Sequence, residues 1–243
     1  MLDFNKSSML RSKAVKEIAS AIDDGLQRAQ AESKPRSYLG ASSIGAPCER
    51  KTQYNYMGVP KEEGFSAKTL RIFARGHLGE DMMADWLRQA GYDLRTEKPD
   101  GRQFGFASAN GKFKGHCDGI IHAGPGLETP CIWENKCVGS KSWKAMDSKG
   151  VKDSKPEYYA QVQLYMSYLD LTAAPALFTA LNMDDMQIYI ELIKFDRKAA
   201  QAASDLAVSI IQDTEAGAMR PRVSKDPEFW LCRFCEYRGR CHA

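Results

Sequence analysis

The chain has 243 residues, 34 Lys and Arg against 31 Asp and Glu for a net charge of +3, a hydrophobic content of 43% and seven cysteines. That length and apolar fraction support one large domain or two small ones with a real core, and they exclude a disordered, collagenous or coiled-coil chain. No run approaches the roughly 18 to 20 apolar residues that span a bilayer. The opening MLDFNKSSMLRSK also lacks the apolar block of a signal peptide, so the reading is a cytoplasmic protein with no membrane partner. In a reducing compartment, an odd number of cysteines at short spacings points to metal ligands or free thiols rather than disulfides.

Leu10, Ala14, Val15, Ile18, Ile22 and Leu26 recur at helical spacing, which predicts an amphipathic opening helix. A polar linker with Pro35 and a Ser- and Gly-rich segment carrying Cys48 follow. A second helix is expected from about Ala67 to Ala90, with Phe73, Gly76, Glu80, Met83, Leu87 and Ala90 on one face, so that a carboxylate sits in an apolar stripe. The period then becomes that of strands, near Tyr92 to Thr96, Gln103 to Ser108, Lys112 to His122 and Cys131 to Val138. Pro99-Asp100-Gly101, Asn110-Gly111 and Gly124-Pro125-Gly126 separate them with hairpin chemistry, predicting a meander of three or four strands. A helix over Pro156 to Leu171 carries Tyr158, Gln161, Tyr165 and Tyr168 on one stripe. Strands near Ala176 to Asn182 and Gln187 to Lys194 and a helix from Asp196 to Glu215 complete the body.

The segment GHCDGIIHAGPGLETPCIWENKC places Asp118 on one strand and Glu134 and Lys136 on the next. Residues two apart on a strand share a face, so Glu134 and Lys136 present a carboxylate beside an ammonium, and the hairpin can bring Asp118 opposite them. Two carboxylates suit a hard cation such as Mg²⁺ or Mn²⁺, an arrangement that phosphodiester hydrolysis requires. Their strands are apolar on both faces, and charge is kept in such a place only for a task.

Asp118 followed by Glu134-Asn135-Lys136 resembles the core of the PD-(D/E)XK nucleases, and in particular their RecB-like branch, where a G-x-x-D motif, here Gly115 to Asp118, precedes an E-x-K strand. Gly76 and Glu80 match the branch's upstream helical motif, and Gln161 and Tyr165 match its downstream Q-x-x-x-Y. The resemblance implies an α/β fold with a restriction-endonuclease-like core, a mixed central β-sheet flanked by helices, an N-terminal helical portion and a C-terminal cysteine cluster tail. It implies Asp118, Glu134, Lys136 and Gln161 as catalytic residues. The metal ligands it implies are Glu80, Asp118, Glu134 and the backbone carbonyl of Asn135, with His77 as a further candidate. Tyr165 would pack beneath or against DNA.

Cys232, Cys235 and Cys241 lie in the tail and Cys48 far upstream. Four thiolates suit either zinc or an iron-sulfur cluster, and spacing alone does not choose between them. One cysteine before the core and three after it resembles the iron-sulfur nucleases of the same branch, of the AddB and CRISPR-associated type, which implies a 4Fe-4S cluster clasping the two ends of a single domain. Within that domain, residues 1–66 form a helical region, 67–217 the nuclease core and 218–243 the tail.

Residues 136 to 155 hold six lysines and two aspartates, more net charge than the whole chain. Read as a loop, this segment offers Lys141, Lys144 and Lys149 to phosphates and Trp143 to an unpaired base. Arg220, Arg222, Arg238 and Arg240 add a second basic cluster. The reading is a metal-dependent DNA exonuclease with little sequence specificity, used in recombination, repair or CRISPR-type processing in a bacterial or phage-infected cell. No phosphate-loop motif is present, so unwinding would need a helicase partner; a homo-oligomer is conceivable. The alternatives are a DNA-binding or assembly module of the same fold that does not cut, and a zinc-clamped endonuclease.

Overall fold

The computed structural model describes residues 13–33, 36–62 and 64–243. Residues 10–12 of the predicted opening helix and Pro35 of the linker lie outside them.

Five strands form the larger sheet, in the order β2 (Leu94–Arg95), β5 (Gly119–Ile121), β6 (Cys131–Val138), β7 (Ala176–Asn182) and β8 (Ile188–Ile193). Within this sheet only β6 and β7 pair in parallel. β6 and β7 are buried along nearly their whole length because helices cover both of their faces, as expected of strands inside a sheet rather than at its edge. A second sheet, ordered β1 (Leu39–Gly40), β4 (Phe113–His116) and β3 (Gly105–Ser108), stands beside it.

On one face of the larger sheet lies α3 (Ala67–Gln89), and on the other lie α4 (Ser140–Ser154), α5 (Pro156–Tyr168) and α6 (Arg197–Glu215). Two hydrophobic clusters result. Ile132, Phe178, Ala180, Val162, Leu164 and Ile210 fill the α5 side, and Met83, Ala84, Ile121, Trp133 and Leu181 fill the α3 side. The observed class is therefore mixed α/β, with mixed sheets flanked by helices. No helix among the described residues is long and apolar enough to cross a membrane.

Four expectations need correction. The predicted run from Lys112 to His122 is two strands in different sheets, and the chain changes sheet at Cys117-Asp118. Glycines flank the change and are tightly packed: a Cβ on Gly115 would meet Tyr165, Ala41 and Phe106 within 2.8 Å, and one on Gly119 would meet Leu94 at 2.7 Å. The meander is correspondingly replaced by a β5–β6 hairpin whose other neighbour is β2. The opening helix is present as α1 (Lys13–Glu32), although it buries none of its residues; it rests on α3 through an Asp23–Arg71 ion pair and leaves Ile18 and Ile22 exposed. Its partner face is itself open, since Phe73 of the predicted stripe is exposed and the buried residues of α3 are Ala67, Leu70, Gly79, Met83 and Ala84. Finally, the basic segment is a helix and not a loop. The N-terminus of α4 is held by Asp184, which accepts from Ser140 N and Ser140 Oγ, both at 2.8 Å. Gly150 kinks it at a φ of 74°, and Glu191 accepts from Val151 N at 2.8 Å just beyond the kink.

The Ser- and Gly-rich segment contains a further helix, α2 (Glu49–Tyr56), capped by Cys48, and the tail contributes α7 (Trp230–Arg233) and α8 (Arg238–His242).

Candidate active site

The acidic constellation sits where the chain passes from β4 to β5. Asp118 occupies the break, beside the middle of β6, and its Oδ2 accepts from Asn135 N at 2.7 Å. Glu134 and Lys136 point from β6 toward α5, and the Lys136 ammonium is bonded to Glu134 Oε1. Glu134 has 0% exposure, and its second oxygen, Oε2, has no hydrogen-bond partner. An orphaned carboxylate oxygen in a buried place is costly unless a cation or proton reaches it.

Glu80 approaches from α3, half-buried, close enough to Asp118 to feel its charge. Burial, and then Asp118, push Glu134 up to about 8 and Glu80 up to about 7, while Lys136 pulls both down. Asp118 is likewise raised by burial, against Lys136 and the Asn135 N–H. Burial opposes the charge on Lys136, but Glu134 and Asp118 outweigh it and hold the ammonium protonated well above its usual range. Three carboxyl groups and one fixed ammonium thus share one small region, an arrangement that favours occupation by a divalent cation. Among the described residues, however, no three His, Cys, Asp or Glu groups stand as a formed metal centre.

The geometry sorts the remaining sequence candidates. His77 is exposed and near enough to Asp118 to lower its pKa. Asn135 turns its side chain the other way, accepting from Thr179 Oγ1 at 2.8 Å, which in turn accepts from Trp133 Nε1 at 3.0 Å. Gln161 donates from Nε2 to Tyr165 Oη at 2.8 Å, and Tyr165 is 2% exposed with its ring toward Phe106. The DNA contact expected of Tyr165 is therefore corrected: the ring is core, packed against the Gly115 backbone, and Gln161 is buried with it. Trp143 is half-buried against Tyr189, so it is not the open stacking surface expected of a loop residue, whereas Lys141, Lys144 and Lys149 are exposed along α4.

Two residues escaped the sequence reading. Gly79, not Gly76, is the glycine on which α3 depends: a Cβ there would stand 2.4 Å from Cys137 Sγ, while one on Gly76 would meet nothing within 4 Å. Tyr158 lies beneath Lys136, whose Nζ is 5.5 Å from the ring centroid, and it stacks on Phe178. Its place on the predicted aromatic stripe of α5 was the available signal.

Cys48, Cys232, Cys235 and Cys241 line one cavity of about 180 Å³, walled otherwise by apolar residues such as Pro47, Val223 and Leu231 and by the basic Arg50, Lys51, Arg222, Arg238 and His242. Burial raises the pKa of Cys232, and Cys48, Cys241 and Cys235 raise it further. Cys117 and Cys131 are plainly buried, as small hydrophobes are. Arg220 is not a free cation, because it is paired with Glu49 and with Asp213.

Among solved structures, the chain resembles an alkaline exonuclease (LHK-Exo) from Laribacter hongkongensis, with a TM-score of 0.51 and 17% identity over 75% of this chain and 90% of that one. LHK-Exo in complex with dAMP gives a TM-score of 0.49 at 18% identity, over 74% and 89% of the two chains. A protein named SSO0001 gives 0.48 at 16% identity, over 90% and 94%. No family model matches the chain. No curated protein matches it either. The likeness to the alkaline exonuclease is one of fold, and it agrees with the mixed α/β, restriction-endonuclease-like core expected from the sequence.

Proposed function

We propose that this chain is a divalent-metal-dependent deoxyribonuclease that acts at DNA ends with little sequence preference, in the manner of the RecB-like PD-(D/E)XK nucleases. The observation that carries the reading is the buried Glu134, bonded to Lys136 on one oxygen and bare on the other, with Asp118 fixed on the adjacent backbone N–H. Glu80, Asp118, Glu134 and the Asn135 carbonyl are hard oxygen donors that fit Mg²⁺ or Mn²⁺, with His77 at the margin. When bound, such an ion polarises the scissile phosphate and lowers the pKa of water at the site. Lys136, protonated throughout the neutral range, neutralises charge developing on the phosphate rather than accepting a proton. Gln161 and Tyr165 support this floor from beneath, and Lys141, Lys144 and Lys149 offer a cationic helix face to the DNA backbone.

Cys48, Cys232, Cys235 and Cys241 would hold a 4Fe-4S cluster, with zinc as the competing occupant. Four thiols around one largely apolar cavity fit either group. Iron and labile sulfide measured in anaerobically purified protein, against zinc, separate the two. The reading treats the chain as one domain whose ends the cluster joins, and leaves unwinding to a partner helicase.

Incubation with linear and with covalently closed circular DNA, in Mg²⁺ or Mn²⁺ and in chelator, tests the activity. Chelator-sensitive loss of the linear form alone is expected. Cleavage of the circle at fixed sites would instead mark an endonuclease, and no cleavage of any substrate by metal-loaded protein would leave a DNA-binding module.

A further inference from the structure

The tail has a face that the nuclease reading does not use. Trp230 and Phe234, four residues apart across the single turn of α7, are 62% and 78% exposed, the latter the most exposed large apolar side chain among the described residues. The Arg233 guanidinium lies over the Phe234 ring, 4.8 Å from its centroid. Residues 218–243 carry six Arg and Lys against three Asp and Glu, which equals the +3 of the entire chain. The acids are largely spent internally: Glu228 is bonded to Arg238, and Glu236 to Lys51 and Lys61. Arg222, Lys225 and Arg233 have no acidic partner among the described residues.

Exposed aromatic faces on a tail of net positive charge, one of them beside the uncompensated Arg233, match unpaired nucleotides in both of their components, since each base offers a π-face and each phosphate a negative charge. Protein interfaces also enrich aromatic residues and Arg but deplete Lys, so the excess positive charge of the tail, with Lys225 unpaired among the described residues, favours a polyanion. We infer that Trp230, Phe234 and Arg233 form a base-stacking platform for single-stranded DNA on the cysteine-rich tail, separate from the hydrolytic site. The inference rests on the nuclease reading for its choice of deoxyribonucleotide, and it commits the tail to an unpaired strand rather than a duplex. In a duplex the base faces are already stacked, so the rings would have nothing to take.

Binding of a fluorescein-labelled oligodeoxythymidine and of a duplex of equal length, followed by anisotropy in chelator so that nothing is cut, tests this on the full chain. Trp230→Ala and Phe234→Ala should each weaken single-strand binding about 10-fold. Trp230→Phe and Phe234→Tyr should restore most of it, and duplex affinity should change less than about twofold. Because both rings are already exposed, neither variant should shift the melting temperature. A double alanine variant that binds the single strand within about twofold of wild type overturns the inference, as does an equal loss in the alanine and the conservative variants. Sedimentation showing that wild type self-associates through these rings, with DNA affinity unmoved by their loss, overturns it in favour of an interface between copies. Cleavage by the wild type in Mg²⁺, measured separately, decides the nuclease reading, so the two can fail independently.

Discussion

Glu134 and Lys136 show how a charged pair is kept inside a sheet. Each is two residues from the other on β6, and each satisfies part of the other's desolvation, but one carboxylate oxygen is left over. These two residues and Asp118 could be read from the sequence because strand alternation and a hairpin fix their relative positions. Gly79 and Tyr158 could not, because a glycine or a tyrosine does not disclose which neighbour approaches it. Paired substitutions in α3 exploit that difference. Gly79→Ala should cost about 1–3 kcal/mol, since its Cβ would have to displace Cys137. Gly76→Ala meets open space and should be neutral or stabilise by up to about 1 kcal/mol. Urea unfolding of the two variants checks this, and equal effects would contradict the account of how α3 seats on the sheet.

Among the elements, α4 departs furthest from its expectation. Its Gly, Ser and Asp content reads as a loop, and only Met146, Val151 and the half-buried Trp143 anchor it to the core. Its existence depends on distant carboxylates that sequence spacing does not reveal. The Ser140 backbone N–H, and then its hydroxyl, hold the Asp184 carboxyl below its usual pKa. The folded value therefore lies under the unfolded one, near 3.9, so this contribution to stability is complete above that value and disappears as pH falls through the folded value. The melting-temperature gap between wild type and Asp184→Asn should accordingly be widest near pH 6 and close toward pH 3. Glu191 secures the kink by accepting from the buried Val151 N–H, so Glu191→Ala should cost about 1–3 kcal/mol by leaving that donor unpaired. Chemical denaturation of that variant would expose a smaller role if the loss is under 0.5 kcal/mol, below the range for an orphaned donor.

Across the whole molecule, the two chain regions that carry the cysteines are joined by more than thiols. Gln53, fully buried on α2, donates to Thr214 Oγ1 and to Ala218 O and accepts from Arg220 N, and Tyr237 Oη donates to Asn55 Oδ1. Glu62 accepts from the backbone N–H groups of Gly239 and Arg240 at the start of α8. The meeting of Cys48 with the tail was legible only through resemblance, because no periodicity connects residues so far apart. The separation into two sheets was hidden because Lys112 to His122 reads as one extended run, and the close packing at Gly115 and Gly119 beside the break exists only in three dimensions. Since the dock is protein-made, Gln53→Ala should destabilise by about 1–3 kcal/mol and make the chain after residue 218 more sensitive to protease. Unchanged proteolysis would mean that the tail is held mainly by its cysteines.

The central claim is that Asp118, Glu134 and Lys136 form a hydrolytic site for DNA. Its most direct measurement is digestion of linear DNA labelled at either end, in Mg²⁺, by wild type and by Lys136→Ala, with the melting temperature of both recorded. Metal-dependent release of label by the wild type, reduced by about 10²-fold or more in a folded variant, is the predicted result, since Lys136 is the proposed source of charge stabilisation at the site. Equal release by both proteins would contradict the assignment of the site.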